Sequence, residues 1–143
     1  MSHICIVIAK FYDDLADELV RGAVAALKAE KATYELIEVP GAFEIPAAIR
    51  MAIASKKYDG YVALGCVIRG ETTHYDYVCG ESARGLNQLA LDHMAAIGYG
   101  ILTVENTEQA WVRAAIDQGN KGRDAVMACL RMIAIKNDMK IND

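Results

Sequence analysis

The chain has 143 residues, a net charge of −4 and a hydrophobic content of 54%. A chain of this length buries roughly 70% of its unfolded surface, so a single domain over 1–143 can hold its core without disulfides or metal, and the apolar content favours burial at subunit contacts. The acidic balance argues against nucleic acid as a partner, no apolar run reaches the roughly 18 residues of a membrane span, and Met1-Ser2-His3 lacks the basic start of a secretory signal, which points to the cytoplasm.

Apolar periodicity alternates between two kinds along the chain. Ile4 to Ala9 reads as a strand, and Asp13 and Asp14 then open a helix with Leu15, Leu19, Ala23 and Leu27 at four-residue spacing. Thr33 to Val39 reads as a second strand ending at Pro40-Gly41. The helix after it carries Pro46 in its first turn and Ile45, Ile49, Ala52 and Ile53 on one face. Residues 60–68 form a third strand, wholly apolar and therefore suited to the middle of a parallel sheet covered on both faces. The pattern next predicts a helix over Ser82 to Ile97, with Leu86, Leu89, Ala90 and Met94 inward and Gly98 stopping it. Tyr99 to Val104 is the fourth strand. Two helical pieces follow, around Glu108–Ala115 and Asp124–Lys136, separated by Gln118-Gly119-Asn120-Lys121-Gly122. Cys5, Cys66, Cys79 and Cys129 are scattered with no C-x-x-C pair, so reduced thiols are expected rather than a disulfide framework or a zinc site.

Strand–helix alternation with four strands implies right-handed crossovers and a three-layer αβα sandwich around a parallel sheet. Ligands in such folds sit beyond the carboxyl ends of the strands. The loops at that edge are 10–14, 40–44, 69–76 and 105–108, and the polar and aromatic residues gather there. Phe11 either covers the sheet edge or stacks on a planar heterocycle. Glu44 suits a helix amino end, and with the amides of Ala42 and Phe43 it could also hold a polyhydroxylated chain. Arg69 to His74 offers a cation, amides, hydroxyls and a residue able to move a proton near neutral pH, though no G-x-x-x-x-G-K motif is present. Arg113 and Lys121 read by default as solvated cations, unless they meet a phosphate contributed elsewhere.

Four motifs then fall in order: Val39-Pro-Gly-Ala-Phe-Glu-Ile-Pro46, Gly65-Cys-Val-Ile-Arg-Gly-Glu-Thr-Thr-His-Tyr-Asp76, Thr103-Val-Glu-Asn-Thr-Glu-Gln-Ala110 and Gly119-Asn-Lys-Gly122. Together they closely resemble the 6,7-dimethyl-8-ribityllumazine synthase family, from Ile6 to about Met132. The resemblance implies a flavodoxin-like fold and the penultimate step of riboflavin synthesis, with no metal or redox cofactor. It implies that Phe11 stacks on the pyrimidine, that Ala42, Phe43 and Glu44 hold the ribityl chain, and that the Val67 and Ile68 backbone reads the pyrimidine edge. The amides of Glu71 and Thr72 would hold the phosphate and His74 would transfer protons. Arg113, oriented by Asp124, would come from the neighbouring subunit of a homopentamer, as would Tyr99 and Lys121. Riboflavin synthase is a further implied partner.

Three departures stand out. The usual Arg-Phe-Asn after the first strand is Lys10-Phe11-Tyr12, the usual phenylalanine at position 99 is Tyr99, whose hydroxyl needs a partner, and the chain begins later than many members, so an amino-terminal strand used between subunits is expected to be missing. A non-catalytic flavin- or lumazine-binding carrier is the alternative from another functional class, because a fold alone does not fix a function.

Overall fold

The structure is a computed structural model that describes residues 1–141, so the last two residues of the expected 1–143 domain lie outside the described residues. The elements run β1 (His3–Ala9), α1 (Asp13–Ala29), β2 (Thr33–Val39), a 3₁₀ turn (Ala42–Glu44), α2 (Ile45–Ser55), β3 (Gly60–Ile68), α3 (His74–His93), β4 (Ile97–Val104), α4 (Thr107–Ala114) and α5 (Lys121–Asp138). The four strands form one sheet in the order β2-β1-β3-β4 with every pairing parallel. This is the expected flavodoxin-like, three-layer α/β sandwich.

Side-chain alternation along the strands builds two cores. Ile4, Ile6, Ile8, Val62, Leu64, Leu102 and Val104 face α1, α4 and α5, where they meet Leu19, Leu27, Ala110 and Val126. Cys5, Val7, Ala9, Ala63 and Ile101 face α2 and α3, meeting Ile45, Ile49 and Leu86. Complete burial of an Ile or Leu side chain stabilises by about 1.5–3 kcal/mol, so these two layers dominate the fold's stability. Cys5, Cys66 and Cys129 are buried and Cys79 is half-buried, all as free thiols.

The one element that differs substantially from the sequence pattern is α3. It starts at His74 rather than Ser82 and ends at His93 rather than Ile97. Only Val78 is buried among its first eight residues, so that stretch carries no visible apolar period. The helix stops because Met94 takes a left-handed conformation, φ 49°, which turns the chain out of the helix. Met94 is 57% exposed instead of facing inward. Gly98 therefore lies inside β4 and does not cap anything. A glycine is required there for a different reason: a Cβ at 98 would run into the carbonyl oxygen of Ala125 as α5 crosses the strand. Lys121 and Gly122, expected in the break, form the first turn of α5, behind an Asn120 whose side chain accepts the Arg123 N–H.

The collision at Gly98 is with backbone, which cannot rotate away. Gly98→Ala is expected to destabilise the fold by about 1–3 kcal/mol in urea unfolding, through displacement of α5. A loss below about 0.5 kcal/mol would mean that α5 rides loosely on the sheet.

Candidate active site

The sheet order reverses direction between β1 and β3, because β2 is added on one side of β1 and β3 with β4 on the other. A crevice opens at the carboxyl end of the sheet at such a switch point. Here it is deepened by a difference in length. β3 pairs with β1 only as far as Leu64, opposite Ile8, but with β4 as far as Ile68, opposite Val104. The amides of Tyr61 and Arg69 bond to carbonyls of Ala96 and Val104, at the two ends of β4. Strand alternation therefore turns the peptide groups of Ile68 to the opposite side, which β1 no longer lines. Val67 shares the parity of Tyr61 and Arg69, so its own peptide groups face β4.

The resulting cleft has a volume of about 630 Å³. Phe11 and Tyr12 after β1, residues 40–44 after β2, Cys66, Val67, Ile68, Gly70 and Thr72 on and after β3, and His74, Tyr75 and Val78 of α3 line it. Of the expected contacts, Phe11, Ala42, Phe43, Glu44, Val67, Ile68, Thr72 and His74 are thus brought together. Phe11 is 73% exposed and Phe43 55%, although both rings are apolar. The edge of one ring meets the face of the other in the Phe11–Tyr12 pair, 4.9 Å between centroids and 83° between planes. Glu44 performs the capping role foreseen for it: one carboxylate oxygen accepts the Gly41 N–H at 3.1 Å, while the Glu44 N–H donates to the Gly41 carbonyl. The hydroxyl of Thr72 accepts the N–H of His74 at 3.3 Å. No hydrogen bond or ion pair engages the His74 ring among the described residues.

The other expected contacts lie elsewhere. Tyr99, Arg113 and Lys121 line a second hollow of about 270 Å³ along the outer side of β4, with Thr103. Glu71 sits in the exposed 70–73 loop without lining either space. Arg113 donates to the carbonyl of Gln109 in its own helix, and Asp124 pairs with Lys121 at 3.4 Å and Arg123 at 3.8 Å. Within one chain Asp124 does not orient Arg113, because α5 directs it back along its own first turn. Burial pushes the Tyr99 phenol up, against a smaller opposing effect of the nearby Ser82 hydroxyl, which itself donates to the Cys79 carbonyl. Arg69 is not available as an anion-binding cation. Its Nε lies 3.0 Å from both oxygens of Glu105 and its Nη1 3.5 Å from Asp76.

Tyr12, Cys66, Tyr75 and Val78 line the cleft without having been among the expected contacts. The signal for the last two was the start of α3: once the helix begins at His74, positions 74, 75 and 78 share a face. Burial pushes the Cys66 thiol up to about 11 and raises the phenols of Tyr12 and Tyr75, so all three are protonated at neutral pH. Among the described residues of one chain, no lysine and no thiolate lines the cleft. Histidine is the side-chain type there suited to proton transfer near neutrality.

Comparison with known proteins agrees with this architecture. The sequence model of the 6,7-dimethyl-8-ribityllumazine synthase family matches residues 1–137. The chain is 56% identical over 139 residues to 6,7-dimethyl-8-ribityllumazine synthase 1 of Rhizobium meliloti (strain 1021), covering 94% of this chain and 91% of that one. It is 56% identical over 135 residues to the synthase of Bartonella tribocorum, covering 94% and 89%, and 53% identical over 142 residues to that of Agrobacterium fabrum, covering 96% of each.

An apolar ring left in water contributes little to folding. Phe11→Ala is expected to change stability by less than about 0.5 kcal/mol, whereas Ile45→Ala, fully buried, should cost about 2–5 kcal/mol. Paired thermal unfolding curves check this. A comparable loss at position 11 would mark Phe11 as a packing residue.

Proposed function

The chain belongs to the 6,7-dimethyl-8-ribityllumazine synthase family, and from that premise we propose that the cleft between β1 and β3 is where its reaction takes place. The reaction is the condensation of 5-amino-6-(D-ribitylamino)uracil with 3,4-dihydroxy-2-butanone 4-phosphate. The products are 6,7-dimethyl-8-ribityllumazine, phosphate and water. The substrate amine attacks the ketone to form an imine with loss of one water, phosphate leaves by elimination, and ring closure expels a second water.

The substrates bring both the nucleophile and the carbonyl, so the protein's task is placement and proton transfer. In this reading the exposed face of Phe11 stacks on the pyrimidine and the peptide groups at Ile68, with Val67 beside them, read its polar edge. Ala42, Phe43 and Glu44 hold the ribityl chain, the amides of Glu71 and Thr72 hold the phosphate, and His74 moves protons. The observation that carries this reading is the coincidence, in one cleft, of an exposed aromatic ring, the unpaired end of β3 and a histidine opening a helix. Tyr99, Arg113 and Lys121 then act in the cleft of a neighbouring copy. Their separate position on the outer side of β4 supports shared sites in a homopentamer. The same reading makes residues 1–143 one lumazine synthase domain of the cytoplasm, with riboflavin synthase as a partner. A non-catalytic carrier is not favoured, because the relatives are named as synthases. Fluorescent lumazine appearing only when both substrates are present tests this directly.

Aligning two flexible molecules can supply effective molarities of about 10⁵ M or more, roughly 7 kcal/mol of barrier, against about 10²–10⁴-fold from a positioned acid or base. His74→Ala is therefore expected to slow turnover by at most about a hundredfold, and complete loss in a folded variant would reverse the ranking. Arg113→Ala should raise KM for the phosphorylated substrate about tenfold, the worth of one charge-assisted contact. Phe11→Ala and Arg113→Ala chains, each impaired alone, should regain activity when mixed and allowed to exchange. Absence of recovery after confirmed exchange would argue for self-contained sites.

A further inference from the structure

We propose that Arg69 is a positioning residue that holds His74 in register for proton transfer, an inference that rests on the acid/base role given to His74 above. The 70–74 segment has no apolar anchor: every residue in it is exposed, and Gly70 has open space around it. The amino end of α3 has no side-chain cap at Thr73. Beyond the buried Val78 one turn on and the Thr72 hydroxyl that accepts the His74 N–H, that end is tied to the sheet by the guanidinium of Arg69. Its Nε is 3.0 Å from both Glu105 oxygens, its Nη1 is 3.5 Å from Asp76 in the first turn of α3, and its Cζ lies 4.3 Å from the centroid of Tyr75. Its own amide bonds to Val104, and the Glu105 amide takes the side chain of Gln109, so the far end of the clasp is itself held. A planar fork on two carboxylates and a ring defines an orientation, which a point charge does not.

Exposed ion pairs contribute little to stability, so the clasp should appear in rate and not in melting. The test is a double-mutant cycle with steady-state kinetics on the full-length assembled protein. Arg69→Met is expected to lower kcat about tenfold and leave both KM values within about twofold and Tm nearly unchanged. In a His74→Ala background the same change should lower kcat by less than about twofold, because the group it positions is gone. Arg69→Lys, which keeps the charge and loses the fork, should fall between Arg69→Met and the parent. Equal losses of kcat in both backgrounds would overturn the inference, as would a rise confined to KM of the phosphorylated substrate, which would mark direct anion contact. An unchanged kcat for His74→Ala alone would overturn the acid/base assignment and this inference with it. Should Arg69→Met fail to fold, Glu105→Gln breaks the same clasp from the other side and carries the cycle.

Discussion

The cleft exists because β3 outruns β1. The two strands stay in register only to Ile8 and Leu64, while β3 remains paired to β4 until Ile68 and Val104. Three residues of a central strand, 66–68, thus extend past the end of β1 at Ala9. Main-chain groups at the end of a buried strand require partners, and a ligand supplies them as well as another strand would. Every other component is arranged around that notch. The chain leaving β1 sets Phe11 and Tyr12 on one side, the turn after β2 sets residues 41–44 beneath, and the loop after β3 delivers the amino end of α3 opposite.

Most of this was legible in the sequence because the helices and strands carry their own periods. Thr33–Val39 and residues 60–68 were delimited to the residue, the first closing at Pro40-Gly41 and the second being an apolar run that ends at Arg69-Gly70. The start of α3 was hidden because His74 to Glu81 faces the cleft and solvent and buries only Val78, leaving nothing for a packing pattern to register. Its end was misplaced because Met94 takes a left-handed conformation that the sequence associates with glycine, while the nearby Gly98 is required for close passage of α5. Both errors have one origin: an open cleft surface and an interelement contact override local propensity. The division of Tyr99, Arg113 and Lys121 from the cleft depends on strand order, which spacing along the chain does not encode. Arg69 was legible as a cation, but its engagement by Glu105 and Asp76 is tertiary.

The electrostatics of the cleft fit a reaction whose reactive groups arrive with the substrates. Burial holds Cys66, Tyr12 and Tyr75 in their protonated forms, so none is poised as a nucleophile at neutral pH. Among the described residues no lysine of the same chain lines the cleft, so any amine near it would have to come from a neighbouring copy. What remains is a set of rings, amides, one carboxylate at Glu44, one hydroxyl at Thr72 and one imidazole. That inventory favours binding in a defined pose over covalent chemistry.

A defined pose is demanding for an open cleft. Two apolar rings in water and an exposed loop have little packing to hold them, so their geometry must come from short-range directional contacts. Each wall has one: the edge-to-face pair of Phe11 and Tyr12, the reciprocal Gly41–Glu44 hydrogen bonds, and the Arg69 Nε–H shared by the two Glu105 oxygens. These contacts are individually weak in stability and sharply defined in angle. They leave the cores to stabilise the fold while the loops stay free of apolar packing that would fill the cleft. The separation follows from the sheet itself, since a strand end can be rigid through its ladder and still present unoccupied backbone at its tip.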